Sequence, residues 1–279
     1  MTDIFYLKFI KSKPANARGY SLKQKIKKII ESRLDSYPKV FFCHVPKCGG
    51  VSFSDAIYEA LYPKILKASR FASNIDLKGN SVASDILSID MMTLREAQLI
   101  NYLNSRGKIF ITGHCRARPE VTLKHADNWN FITILREPEK RFVSEYVYNR
   151  FKTSSWLKNS SEIDDYLKSE KAKSSATTYS RFFSKFSEAE EVFANKDEAI
   201  DSAIKNIEGF ASVGVLENIE RWEKQFGKKF GVKIKVGSKN TTPNNNEAQK
   251  LLSDSAIMKN VRELTEVDRA IYDLVLSKK

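Results

Sequence analysis

The sequence predicts an α/β fold in three layers, a central, mainly parallel sheet flanked by helices, and three observations carry that prediction. Four short runs rich in β-branched and aromatic residues, 39–43, 108–112, 131–135 and 210–216, are almost continuously apolar, as strands buried on both faces are. Segments with helical periodicity separate them, and such alternation requires right-handed crossovers between parallel strands. The third observation is the stretch 39–61, where an apolar strand runs through a turn bearing Lys47, Gly49, Gly50 and Ser52 into a helix over 55–61. A chain builds an anion cradle this way: glycine lets the backbone approach closely, and the first N–H groups of a helix have no internal partner.

In order along the chain, residues 1–38 form a basic N-terminal segment closed by Pro38. Within it, residues 23–33 place Ile26, Ile29 and Ile30 on one helical face among lysines, a short basic helix packed on the domain or resting on a membrane surface. A single domain is expected over 39–279. The polar stretch 64–88 has little periodicity and reads as a loop with one helical turn, an excursion of the kind that faces substrate. A helix is predicted over 93–106 from Leu94, Ala97, Leu99, Ile100 and Leu103, with Thr93 and Glu96 as a capping box. The strand at 131–135 leads into a helix over 139–151 begun near Pro138, whose missing N–H would be unpaired there anyway. Residues 154–207 are polar and charged and read as a helical insert, with helices near 162–168, 175–183 and 197–207. After the strand at 210–216 come a helix over 217–230, a last short strand over 232–236, a turn-rich loop over 239–246, and an amphipathic helix over 256–276 broken near Thr265.

At 279 residues with 42% hydrophobic content the chain has ample material for a core. Forty-seven Lys and Arg against 34 Asp and Glu leave a net charge of +13, which favours acidic partners: nucleotides, anionic glycans, nucleic acid or a membrane surface. Cys43, Cys48 and Cys115 have neither a disulfide pattern nor zinc spacing and read as small buried residues in a reducing compartment. No run approaches the ~20 apolar residues that span a bilayer, and no apolar leader with a cleavage site opens the chain. The expectation is a cytoplasmic, bacterial protein with at most peripheral membrane contact.

Residues 46–52 (PKCGGVS) are not a Walker A loop, in which the lysine comes near the end, and no Walker B acid follows a strand. The segment resembles the PKxGG(T/S)S loop of the PAPS-dependent sulfotransferase family, specifically the carbohydrate branch that includes the heparan sulfate 2-O-sulfotransferases. In that family the loop binds the 5′-phosphosulfate, which assigns Lys47, Cys48, Gly49, Gly50, Val51 and Ser52 to the donor. Val51 stands where threonine is common; it loses one hydroxyl and keeps the backbone donors. Residues 135–146 (LREPEKRFVSEY) resemble the family's 3′-phosphate signature RxPxxRxxSxY. There Arg136 and Ser144 would hold the phosphate by a charge-assisted fork and a hydroxyl donor. With 213–217 and 240–243 the resemblance covers roughly residues 39–276. It implies a P-loop-like fold, PAPS as sulfate donor, no metal, and a hydroxyl acceptor on a glycan or glycolipid, acidic ones included.

An acceptor hydroxyl must lose its proton as it attacks, and a neutral imidazole suits that task near neutral pH. His114 matches the base histidine of the 2-O-sulfotransferase branch, with His44 and Glu120 as alternatives. Lys47 would stabilise charge on the departing 3′,5′-phosphoadenosine. Each residue has a plainer reading: Lys47 as a solvated turn lysine, Arg136 as a surface ion-pair residue, Ser144 as a helix-surface serine, His114 as a strand-end histidine bonded to a carbonyl. Two signatures in the right order favour function. Arg141 reads as a structural ion-pair partner, Tyr146 and Tyr148 as core with Tyr148 as a candidate substrate wall, and Arg116, Arg118 and Lys124 as a solvated face or a contact for an acidic acceptor. The rivals are a nucleotide kinase, which would require Mg²⁺ and the missing Walker B acid, and a basic nucleic-acid-binding protein, for which no recognisable motif is present; nucleic acid is therefore not an expected partner. Acceptor specificity is expected in 64–88 and 154–205.

Overall fold

The computed structural model describes residues 34–67, 70–237 and 244–278. The expectations for residues 1–33 and for most of the 239–246 loop lie outside them. Pro38–Lys279 forms one compact unit.

Strands β1 (Val40–Cys43), β2 (Ala72–Asn74), β3 (Phe110–Gly113), β4 (Asn130–Leu135) and β5 (Ser212–Val215) make one sheet in the order β2-β3-β1-β4-β5, every pairing parallel. The central β1 sets Phe41 opposite Ile111 on one side and Phe131 on the other. The chain leaves β1 in one direction and returns on its other side at β4, so the carboxyl ends of β1, β3 and β4 adjoin at a topological switch point, where parallel α/β sheets bind ligands.

Side chains alternate across the pleat. Phe41, Ile111 and Phe131 share a core with Leu99 of α3 (Met91–Leu103), Tyr179 of α8 (Thr178–Phe183), Ala203 of α10 (Lys196–Glu208) and Ile271 of α14 (Glu266–Ser277). On the opposite face Phe110 meets Tyr58 of α1 (Gly50–Leu61) edge-on at 5.3 Å, and Phe53 meets Trp222 of α11 (Ile219–Phe230) at 5.2 Å. A second cluster joins Phe142 and Val147 of α5 (Pro138–Phe151) to Tyr166 of α6 (Ile163–Leu167), Leu251 of α12 (Asn245–Ser253) and Val261 of α13 (Ser255–Leu264). Each buried aromatic or branched side chain contributes roughly 1.5–3 kcal/mol, whereas a surface pair such as Lys196–Glu266 contributes about 0–1 kcal/mol. Apolar burial therefore holds the helical layers in place.

The structure departs from the sequence expectations where backbone pairing or capping outweighs apolar patterning. Residues 64–88 hold the edge strand β2 and the helix α2 (Leu77–Leu87), not a loop. The strand, Ala-Ser-Asn, is held by pairing with β3, and α2 is capped by Asp76, which accepts from Lys78 N and Gly79 N; only Asn80 of the helix is buried, and its apolar Val82, Ile86 and Leu87 are exposed, so no apolar face of α2 packs on the core. Helix α1 begins at Gly50, five residues earlier than predicted, and α3 begins at Met91 with Asp90, not Thr93, as its cap. An unpredicted helix, α4 (Pro119–His125), starts on a proline. The insert also holds α7 (Glu170–Ala176) and α9 (Ala189–Ala194). No strand forms at 232–236; Val236 N–H goes to the Glu223 carboxylate at 2.7 Å instead of to β5. The break at Thr265 is real, and the Thr265 hydroxyl bonds Val261 O at 2.8 Å. Among the described residues no helix is long and apolar enough to cross a membrane.

Candidate functional site

The loop after β1 is set by two left-handed residues. Lys47 has φ 66° and Gly49 φ 77°, and Cys48 N donates to Val45 O at 3.3 Å to close the turn. A non-glycine residue in that region costs of order 1 kcal/mol and marks a backbone held by its surroundings. Gly49 caps α1 and supplies no side-chain cap bond to the first N–H groups of the helix, while Ser52 N donates to Gly49 O at 3.2 Å. At Gly50 the requirement is space: a Cβ there would lie 1.7 Å from the His44 ring. His44 in turn donates its N–H to Gly113 O at 3.0 Å, fastening the loop to the end of β3.

Arg136, the first residue after β4, reaches back to this loop. Its Nη1 donates to Lys47 O at 3.2 Å. The Tyr179 phenol accepts from Arg136 N at 2.9 Å, donates to Arg136 O, and lies 3.7 Å from Cys48 Sγ. Tyr179 is itself held from α14, where Asp268 Oδ2 accepts Tyr179 N at 2.7 Å and Oδ1 accepts Ser180 N at 2.9 Å and the Ser180 hydroxyl at 3.0 Å. Burial pushes the Asp268 carboxyl up to about 6 in spite of these donors.

Helix α5 lies against the loop. Lys47 Nζ sits 4.1 Å from the centroid of the Tyr148 ring, a cation–π contact. Burial lowers the Lys47 pKa; Glu145 works against the shift, while Arg136 and Arg141 reinforce it. Ser144, one turn before Tyr148 on the same helix face, is buried, and its Oγ has no hydrogen-bond partner among the described residues. Arg141 is fully buried, bonded to Glu145 Oε2 at 2.6 Å and to the Ser175 hydroxyl at 3.1 Å. Burial opposes ionisation of Glu145, and the Arg141 guanidinium and Ser175 hydroxyl outweigh it, holding the carboxyl below its ordinary value.

Two histidines close the site on the β3 side. His114 Nδ1 donates to His44 O at 2.6 Å, and the two rings lie 4.0 Å apart, centroid to centroid. A carbonyl only accepts, so Nδ1 carries the proton and the neutral ring keeps its lone pair on Nε2. Burial lowers the pKa of both rings, and His114 adds to the lowering at His44.

The structure thus brings together Lys47, Cys48, Gly49, Gly50, Arg136, Ser144, His44 and His114. Val51 is 53% exposed in the first turn of α1, and Ser52 behind it is buried. The Cys48 thiol is buried, with its pKa pushed up to about 12 by that burial. Glu120 is exposed in the first turn of α4. Tyr148 is 44% exposed, not core, whereas Tyr146 is buried. Arg116 and Arg118 do not form a free basic face: Arg116 is buried on Ser187 O at 3.0 Å, and Arg118 grips Glu96 with two bonds of 2.6 and 2.9 Å. Sequence reasoning missed Tyr179 and Asp268. No motif marks the tyrosine, but Asp268 shares the buried face of α14 with Val267, Ile271 and Val275, and an acid on an apolar stripe is a readable signal.

Residues 32–274 match a family profile described as "Sulfotransferase family". No curated protein matches the chain. Among solved structures, the mouse sulfotransferase SULT7A1 complexed with PAP is similar at 13% sequence identity and a TM-score of 0.36, covering 88% of this chain and 79% of that one, a distant likeness.

Proposed function

This chain belongs to the sulfotransferase family, and from that premise we propose that it moves a sulfuryl group from PAPS to a hydroxyl of a glycan or glycolipid-type acceptor, with His114 as general base and Lys47 stabilising the departing phosphate. The observation that carries this reading is the bond from the Arg136 guanidinium to the Lys47 carbonyl, which ties the two phosphate signatures into one site at the ends of β1 and β4. The unpartnered Ser144 hydroxyl fits the same reading, because buried polar groups are seldom left unsatisfied unless a ligand completes them.

PAPS, when bound, supplies an activated sulfuryl group whose bond to the 5′-phosphate oxygen breaks as the acceptor oxygen bonds to sulfur. In this assignment Lys47 and the loop through Cys48, Gly49, Gly50, Val51 and Ser52 hold the 5′ end, and Arg136 and Ser144 the 3′-phosphate. His114 receives the acceptor proton on Nε2, the nitrogen that the bond to His44 O leaves unprotonated. Its lowered pKa keeps the ring neutral at pH 7, as a base must be. The Lys47 ammonium, resting on Tyr148, is the loop's own positive charge, and a charge held in place beforehand stabilises developing negative charge without reorganisation. His44, wedged between Gly50 and His114, orients the base.

The test is incubation with PAPS and mixed glycan acceptors, following release of 3′,5′-phosphoadenosine (PAP), together with thermal melts. Binding to the native state alone stabilises by about 2.7 kcal/mol at a hundredfold excess over Kd. No rise in melting temperature with PAP would overturn the donor assignment, and PAP release without any hydroxyl acceptor would overturn the transfer.

A further inference from the structure

Arg95, in the second turn of α3, is the buried arginine whose charge the fold does not answer. It is 4% exposed, and its Nε has no hydrogen-bond partner among the described residues. Its other nitrogens meet the thioether sulfurs of Met91 at 3.1 Å and Met92 at 3.3 Å, and the backbone oxygen of His114 at a long 3.5 Å. Thioethers are weak acceptors. The other deeply buried guanidiniums each have a carboxylate partner: Arg141, whose Nε is likewise unbonded among the described residues, has Glu145 at 2.6 Å, and Arg116 has Glu188 at 3.6 Å beside its bond to Ser187 O. The carboxylate next in sequence, Glu96, is committed to Arg118, and Asp90 spends its carboxylate on capping Thr93. A buried guanidinium is expensive unless an anion with matching geometry completes it.

We propose that Arg95 is an oxyanion-recognition residue of the acceptor site, binding a carboxylate or sulfate ester carried by the acceptor beside the hydroxyl that is sulfated. The inference rests on the reading of His114 as the base, since it is the contact with His114 O that puts Arg95 at the acceptor side. Met91 and Met92 are only half-buried, and methionine is flexible enough to swing aside, so they cover the guanidinium when no anion is there. Planar, two-pronged donation then selects an acceptor with an oxyanion at a fixed distance from its reactive hydroxyl.

The chain has four methionines, so methyl resonances of Met91 and Met92 can be assigned and followed directly. Protein saturated with PAP is titrated with methyl glucuronide, acetate and inorganic sulfate, and with methyl glucoside as the neutral control. The Met91 and Met92 methyl signals should move with the anions and not with the glucoside; glucuronide and acetate report a carboxylate site, sulfate a sulfate-ester site. Arg95→Gln should weaken the response at least about tenfold in apparent affinity, and Arg95→Lys, which keeps the charge and loses the fork, should fall between. His114→Ala should leave the response intact, which separates this proposal from the base assignment: loss of turnover with an intact anion response supports both. Methyl signals unmoved by every anion, moved equally by the glucoside, moved only by PAP itself, or moved with undiminished apparent affinity in Arg95→Gln would each overturn the proposal.

Discussion

Tyr179→Phe removes one oxygen atom and tests how the two phosphate signatures are held together. The phenol accepts Arg136 N at 2.9 Å and donates to Arg136 O, so phenylalanine leaves a backbone donor and a backbone acceptor without their partner. An unsatisfied buried group costs roughly 1–3 kcal/mol. Arg136 is half-exposed, so water recovers part of the loss, and the ring itself stays, so no cavity opens; about 2 kcal/mol of stability should go. The second consequence is functional: with its main chain released, Arg136 no longer presents its guanidinium at a fixed place beside Lys47 O. A loss of about 1.4 kcal/mol in PAP affinity, about tenfold in Kd, is expected. Denaturant unfolding measures the first quantity and calorimetric titration with PAP the second. A double-mutant cycle isolates the cause: if Tyr179 acts through Arg136, then Tyr179→Phe in an Arg136→Ala background should change the PAP Kd by less than about twofold. Full additivity of the two losses would refute the coupling, and an unchanged Kd in the single variant would refute the role.

His114→Ala should abolish transfer with PAP affinity intact, and in the wild type the acidic limb of kcat/KM should fall below the ordinary histidine pKa of about 6.5, because burial favours the neutral ring; a limb above that value counts against His114. Lys47→Ala should lower kcat by about 10²-fold or more while PAP still stabilises the fold. Gly50→Ala forces a methyl into the His44 ring and should cost about 1–3 kcal/mol by overpacking, most of it recovered in His44→Ala/Gly50→Ala; equal instability of the double variant would show that the ring is not the obstacle. Asp268 has its carboxyl raised from 3.8 to about 6 in the fold, so the stability it contributes is fully present below the ordinary value and is lost as pH rises through about 6, a span of about 3 kcal/mol. The difference in unfolding free energy between wild type and Asp268→Asn should therefore grow as pH falls from 7 toward 4, and a pH-independent difference would contradict it.

The strands and the site loops were legible in the sequence because each is a local pattern. Four of the five strands are short β-branched runs, and Lys47, Gly49, Gly50, Arg136 and His114 all sit at strand ends that such runs announce. β2 was not legible because Ala72, Ser73 and Asn74 are specified by their partner, β3, and not by their own side chains. The early start of α1 escaped notice for a related reason: Gly50, Val51 and Ser52 are poor helix formers, and the turn becomes helical because Gly49 adopts a left-handed conformation and β1 fixes the direction of entry. Arg95 was invisible since its meaning lies in what is missing around it.

The polar insert changes its meaning when these contacts are followed. As sequence, residues 154–207 look like a peripheral addition in which acceptor specificity would reside. In the structure, Tyr179 of that insert bonds both main-chain groups of Arg136 and touches Cys48, while Ser175, also from the insert, bonds the Arg141–Glu145 pair beneath Lys47. Asp268, from the far C-terminal helix, caps the turn that carries Tyr179. The order of dependence runs from α14 through the insert to the loop, so the segments that bear no motif set the precision of those that do. Small displacements of Arg136 relative to Lys47 would matter, because charge-assisted bonds to a phosphate lose strength steeply with distance and angle. Substitution in the insert should therefore disturb the site at Ser175 and Tyr179 and be tolerated at the exposed positions of α6 and α7.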